Sequence, residues 1–206
     1  MTEPASKPIP PFLLSTPRTY LTFIDPDNPI HTAFLVKLFN EPLFAKYEGK
    51  STLDTPAKAA AFIRARCVPQ YHADHYGRCL MFLRPTHNTP VEECEPIGLI
   101  SMVRGDDDKA LTIPDVGFSV LEAYNGQGYA TEGAKAMLDY VTGELQLPGV
   151  VAFVNERNAA SARVAEKLGF ENRGERKLLM FGPDKTGIVW ASAGLGTDLS
   201  VYNLPD

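Results

Sequence analysis

The sequence is short of cysteine, has no long apolar run and carries no excess of basic charge. Its three cysteines, Cys67, Cys79 and Cys94, are odd in number and widely spaced, with no Cys-x-x-Cys pair. That excludes a disulfide framework or a cysteine-rich zinc site and predicts reduced thiols and no metal. Cys79 opens an apolar run and reads as core. No stretch approaches the ~18 apolar residues that a membrane-spanning helix needs. The polar, proline-rich start, MTEPASKPIPP, lacks the apolar centre of a signal peptide. A cytoplasmic chain without a membrane partner is expected. Twenty basic against 25 acidic residues give a net charge of −5. That argues against a nucleic-acid partner, which requires a basic surface, and is compatible with a cationic amine. His31, His72, His75 and His87 are scattered, and only His72 and His75 would share a helical face, so no metal pair is read there.

The remaining composition, 44% apolar and 22% charged over 206 residues, suits one ordinary domain. Five prolines within residues 1–17 predict an extended arm, followed by a single domain over 18–206. Arg18–Ile24 alternates and is rich in Thr, Tyr and Phe, as a strand does. His31–Phe39 and Thr55–Val68 carry helical patterns. Cys79–Leu83, Pro96–Val103 and Val116–Val120 read as strands. In Tyr129–Leu145 the apolar residues Ala130, Ala134, Met137, Leu138 and Val141 form one helical face. Val150–Val154 is an apolar strand, and Asn158 caps a helix with Ala160, Val164 and Leu168 along it. Gly169 ends that helix. Arg176–Phe181 and Leu199–Leu204 read as closing strands, and Ile188–Ala191 is a third candidate. Arg104 with Asp106–Asp108 reads as a hairpin turn. The order is that of a mixed α/β domain.

The chemistry concentrates in Val116–Ala130, VGFSVLEAYNGQGYA. A strand runs into a glycine-rich turn that opens directly into a helix. Gly126 and Gly128 remove side chains where main-chain N–H groups would meet a ligand. The first helical turn adds unpaired donors and the positive end of its dipole, which together suit a pyrophosphate. Such a turn alone is also an ordinary bend. The dinucleotide fingerprint needs a third glycine where Thr131 stands, and the P-loop ending Gly-Lys-Ser/Thr is missing.

A second constellation follows: Asn158-Ala-Ala-Ser161, then Glu166-Lys167-Leu168-Gly169-Phe170. With Asn125-Gly126-Gln127-Gly128-Tyr129-Ala130 and Thr131-Glu132, it resembles the GNAT N-acetyltransferases, in particular the RimJ/RimL-like branch of ribosomal-protein N-terminal acetyltransferases. The resemblance is specific over about residues 113–172. It implies an α/β (α+β) fold, with a mixed, mostly antiparallel sheet of about six or seven strands, about four flanking helices and a slot between splayed strands for acetyl-CoA. The amides of Gln127, Gly128, Tyr129, Ala130 and Thr131 would hold the pyrophosphate. Phe118, Ser119 and Val120 would line the pantetheine with main-chain groups, and Asn158 and Ser161 would reach it from the next helix. Asn125 stands where the family often has Arg or Gln.

The implied reaction is acetyl transfer to a primary amine of a small molecule or a peptide N-terminus. Direct attack in a ternary complex needs a neutral amine, a donor for the oxyanion and a proton for the leaving thiolate. Asp115 is the first candidate base, acting through water where the family often has Glu. Glu122 is the alternative. The Tyr that many members hold at the position of Ala165 is absent, and the resemblance hands its role to Ser161, which is equally an ordinary helix-start serine. Trp190 fits either the core or an acceptor wall. Two other functions remain open, a non-catalytic coenzyme A-binding module and a binding protein for another nucleotide. A monomer and a homodimer are both compatible with the sequence.

Overall fold

In a computed structural model, residues 8–105, 109–155, 157–182 and 184–205 are described. The first seven residues of the expected arm and Asp106–Asp108 of the expected turn lie outside them. Among the described residues eight strands form one mixed sheet in the order β1-β2-β3-β4-β5-β6-β8-β7. They are β1 (Leu13–Ser15), β2 (Thr19–Phe23), β3 (Arg78–Leu83), β4 (Pro96–Val103), β5 (Asp115–Val120), β6 (Val151–Val154), β7 (Glu171–Lys177) and β8 (Thr186–Ala191). The helices are α1 (Pro29–Phe39), α2 (Pro42–Glu48), α3 (Pro56–Phe62), α4 (Val68–Asp74), α5 (Tyr129–Asp139) and α6 (Ala159–Lys167). A π turn, Ile63–Cys67, joins α3 to α4, so residues 56–74 form one continuous rod and the rods number five. The strand count is thus slightly above the six or seven expected.

The chain divides into two compact units. One comprises the described residues up to Leu99 together with Ser119–Asn125, and the other Ile100–Phe118 with the described residues from Gly126 onward. In the first unit, β1 pairs antiparallel with β2, and β2 with β3. β1 lies within the proline-rich stretch, at three residues free of proline. Leu21, Ile24, Leu35, Leu38, Ile63, Leu80 and Met81 are fully buried there. The Tyr71 ring stacks on Phe23 at 3.9 Å, and Phe23 stacks in turn on Phe12. The Tyr71 hydroxyl accepts from the Ile24 N–H (3.1 Å) and donates to the Arg78 carbonyl (2.6 Å), fixing α4 to the ends of β2 and β3. Helix α2 was missed in the sequence. It is only seven residues long, starts on Pro42 and fully buries none of them, too short for an apolar period to be read.

In the second unit, α5 buries Gly133, Ala134 and Met137 and continues into a π turn, Tyr140–Glu144. α6 packs against α5 and β6. Its buried residue is Ala165, while Ala160 is exposed, so the contact face lies one position round from the stripe expected. The closing strands also differ from the expectation. β7 runs Glu171–Lys177, and Leu179–Phe181 is a 3-10 turn. β7 is an edge strand of polar residues, ENRGERK, with a bulge between Asn172 and Glu175 where Gly174 has φ 77°. It has no alternating apolar pattern because no layer covers it. Among the described residues its sheet partner is β8 alone.

Leu199–Leu204 is not a strand but a 3-10 turn, Ser200–Tyr202. Asp198 starts it, its Oδ1 accepting from the Ser200 N–H (2.9 Å) and hydroxyl (2.6 Å). Leu199 and Leu204 are both 0% exposed, whereas Val201 is 61% exposed. A strand would have placed Leu199 and Val201 on one face. The turn instead sends Leu199 and Leu204 into a core with Leu111, Ile113, Val151 and Val189.

Candidate active site

β5 ends at Val120, and the Leu121 N–H donates to the Ile97 carbonyl (2.9 Å). A 3-10 turn, Glu122–Tyr124, follows, closed by the Asn125 N–H on the Glu122 carbonyl (3.1 Å). Gly126 and Gly128 then take φ 75° and φ 87°, the left-handed region where a Cβ collides with its own backbone. A Cβ placed on Gly126 would meet no atom within 4 Å. Glycine is therefore favoured there by backbone conformation and not by crowding, and the space beside it is open. Asn125, Gly126 and Gln127 are exposed, and Gly128, Tyr129, Ala130 and Thr131 are half-buried.

α5 begins immediately behind this turn, and its N-cap is Gly128, which has no side chain to offer. The other principal helix starts are served differently. Asn28 caps α1, Thr55 caps α3 and Asn158 caps α6 through side-chain oxygens. A helix N-terminus without a side-chain cap, reached through two left-handed glycines, has the form of an anion site.

The strand before it is held on one side and released on the other. Towards β4, a Cβ on Gly117 would lie 2.6 Å from the Ser101 Oγ, and one on Gly98 would lie 2.7 Å from the Ser119 carbonyl oxygen. At Gly98, where the obstacle is main chain, only glycine permits that approach. Towards β6 the register is parallel and joins Asp115 to Val151, with the Val151 N–H on the Pro114 carbonyl (3.1 Å). Beyond Val151 no further residue of β6 is registered on β5, whereas all four pair with β8, Val154 opposite Ile188. The two strands part after one pair, and the main-chain groups of Phe118 on the open side suit an added extended segment.

Asp115 stands half-buried at the head of β5, at the level where this parting begins. From there β6 climbs about 10 Å over its four residues, and α6 returns alongside it. At the start of α6 the Asn158 Oδ1 accepts from the Ser161 N–H (3.1 Å). The cap uses the serine's main chain, so the Ser161 hydroxyl is outside it, and the Asn158 carboxamide NH₂ is left as a donor. One turn later Ala165 is 1% exposed, with no hydroxyl at that depth.

The other polar residues weighed in the sequence fall outside this arrangement. Cys67, Cys79 and Cys94 are buried and, among the described residues, form no disulfide. Burial pushes the Cys67 thiol up and the Cys79 thiol well above its ordinary value, so neither is a ready thiolate nucleophile. His31 Nδ1 accepts from the Asp25 N–H (2.9 Å), and burial lowers its pKa against the opposing pull of Asp25. α4 does extend to Asp74, beyond the Val68 expected. Among the described residues, no group of three or more His, Cys, Asp or Glu is placed to hold a metal ion. Trp190 lies in β8, half-buried, between Ala152 and Asn172. Sequence reasoning passed over Glu41 and Glu95. The Glu41 Oε2 accepts from the Glu122 N–H (3.1 Å), and the Tyr124 hydroxyl donates to Glu95 Oε1 (2.5 Å). Separations of 81 and 29 residues leave no local pattern to read.

The family model of the acetyltransferase (GNAT) domain matches residues 21–171, a span that holds the glycine turn, the parted strands and the start of α6. The chain belongs to the GNAT acetyltransferase family. One curated relative, named "Probable N-acetyltransferase YjcK", from Bacillus subtilis (strain 168), is 37% identical over 78 residues, 38% of this chain and 41% of that protein. The match spans about two fifths of that relative's length. Among solved structures, the ribosomal-protein-S5-alanine acetyltransferase of Vibrio fischeri has a TM-score of 0.69 at 18% identity over 91% of this chain and 99% of its own. The microcin C7 self-immunity acetyltransferase MccE, solved in complex with acetyl-CoA and AMP, has a TM-score of 0.63 at 12% identity over 86% and 93%. At such identities the likeness concerns the GNAT fold alone.

Proposed function

We propose that this GNAT protein transfers the acetyl group of acetyl-CoA to a primary amine, of a small molecule or a peptide N-terminus, by direct attack in a ternary complex. The observation that carries the proposal is the side-chain-uncapped start of α5 behind Gly126 and Gly128, beside a strand that parts from its neighbour. Acetyl-CoA enters as a co-substrate. Its pyrophosphate would be held by the amides of Gln127 to Thr131, with Asn125 and Gly126 shaping the turn. Its pantetheine would run along Phe118, Ser119 and Val120, with the carboxamide of Asn158 as a further donor.

In the reaction the amine nitrogen bonds to the thioester carbonyl carbon and the carbon–sulfur bond breaks. The neutral amine loses one proton on becoming the amide while the sulfur gains one, and an ammonium acceptor loses a further proton, which passes to solvent, before it attacks. An alkyl amine is mostly protonated near neutral pH, so Asp115 takes its proton through a water. Ser161, its hydroxyl outside the helix cap, donates towards the thiolate in place of a tyrosine. Proximity supplies much of the acceleration, and neither metal nor covalent intermediate is needed for this chemistry.

A non-catalytic coenzyme A-binding module is the second reading, favoured by the buried Ala165 where many family members carry a tyrosine. The deciding experiment is thiol release from acetyl-CoA against peptides of varied N-termini, amino acids, polyamines and aminoglycosides. Turnover with one class establishes the transferase and names its acceptor. No turnover with any class, while acetyl-CoA still raises the melting temperature, would replace the transferase by the binding module.

A further inference from the structure

A loop that binds phosphate through main-chain N–H groups must be held in shape before the ligand arrives, or ordering it subtracts from affinity. The turn here contains two glycines, the residue with most backbone freedom to lose, and Asn125, Gly126 and Gln127 are exposed. Something outside the loop has to fix its entry, and one contact is placed to do so.

Glu41 is the N-cap residue of α2, yet its side chain makes no cap bond to its own helix. Its carboxylate turns away, and Oε2 accepts from the Glu122 N–H at 3.1 Å. Glu122 is the first residue of the 3-10 turn, where an N–H has no partner within the turn itself. The carbonyl of the same residue accepts from the Asn125 N–H (3.1 Å), the last amide before Gly126. Two consecutive hydrogen bonds therefore link α2 to the entry of the glycine loop. The bond from the Tyr124 hydroxyl to Glu95 holds the same turn from a different segment.

We propose that Glu41 is a positioning residue for the coenzyme, holding through the Glu122 amide the turn that leads into the glycine loop. This rests on the assignment of that loop to the pyrophosphate. The sign of the effect separates this role from a purely electrostatic one. A carboxylate near a pyrophosphate repels it, so if charge alone mattered its removal would tighten binding. If the hydrogen bond matters, removing the acceptor loosens binding in spite of the lost charge.

The test is the affinity of the full chain for acetyl-CoA, by calorimetry, in the wild type, Glu41→Ala, Glu41→Gln and Glu122→Pro. Proline deletes the N–H donor at a first-turn position it tolerates. Leu121, at φ −53° and ψ 143°, already has the extended conformation required before proline. Glu41→Ala and Glu122→Pro are each expected to weaken binding about three- to tenfold, the effect of losing one solvent-exposed hydrogen bond worth about 1 kcal/mol. Their double variant should be no weaker than either single one. Glu41→Gln, whose amide oxygen accepts the same bond, should bind as well as the wild type or better. Wild-type affinity or tighter in Glu41→Ala, with the wild type binding normally, would overturn the role of Glu41 alone. A wild type that does not bind acetyl-CoA would overturn the loop assignment and this role with it.

Discussion

Gly126→Ala isolates the backbone requirement of the glycine turn. At φ 75°, with nothing within 4 Å of a built Cβ, the alanine methyl meets no neighbour, so the whole cost is that of the left-handed conformation, ~1–2 kcal/mol. That cost has two places to fall. If the free protein keeps the conformation, it is lost from stability, and a chain of this size melts about 2–4 °C lower per kcal/mol. If the free loop relaxes instead, stability is kept and the strain returns when the coenzyme binds, weakening affinity about five- to thirtyfold. The two losses, from thermal unfolding and from acetyl-CoA calorimetry on the same sample, should together account for ~1–2 kcal/mol. Gly126→Asn should show less than half of the total, because asparagine visits the left-handed region more readily. An alanine variant with unchanged melting temperature and unchanged affinity would refute the reasoning, since the strain would have gone nowhere.

Gly128→Val, at φ 87° at the head of α5, is expected to abolish acetyl-CoA binding while a folded chain remains by circular dichroism; retained affinity would remove the loop from the coenzyme site. Ser161→Ala should lower turnover with little change in acetyl-CoA affinity, because the helix cap uses the serine N–H; equal turnover in a thiol-release assay would take Ser161 out of the mechanism. Asn158→Ala deletes that cap and should cost about 1 kcal/mol of stability, read as a lower urea midpoint, and an unchanged midpoint would count against the cap. His31 titrates in the fold below its ordinary value of 6.5 because it is buried. The unfolded chain then binds more protons as pH falls through 6.5, so stability is fully present above that value and declines below it, down to the lowered folded pKa. His31→Asn should flatten the melting-temperature profile between about pH 5 and 7, and an equally steep profile in the variant would exclude His31 as its source.

The glycine turn was legible in the sequence because its cause is local. Left-handed backbone at Gly126 and Gly128, a helix started without a capping side chain and an Asn158 cap three residues before Ser161 are each set by residues adjacent in the chain. The apolar runs of β3, β4 and β6 were legible for a related reason: strands covered on their faces must be apolar whatever their order in the sheet. β7 and the Leu199–Leu204 segment were not. The polar sequence of β7 becomes a strand only because β8 offers it a hydrogen-bonding edge. The spacing of Leu199 and Leu204 has meaning only once both insert into a core assembled from distant segments.

The sequence by itself determined the family and the left-handed backbone of its glycine turn, since both reside in short-range patterns of residue type. Only the tertiary structure decided where β5 parts from β6, which strands close the sheet, and that Glu41 lies against the Glu122 amide. Each of these depends on hydrogen bonds between segments that meet only when the chain is folded, and such partners are selected by geometry across space that no periodicity along the sequence encodes.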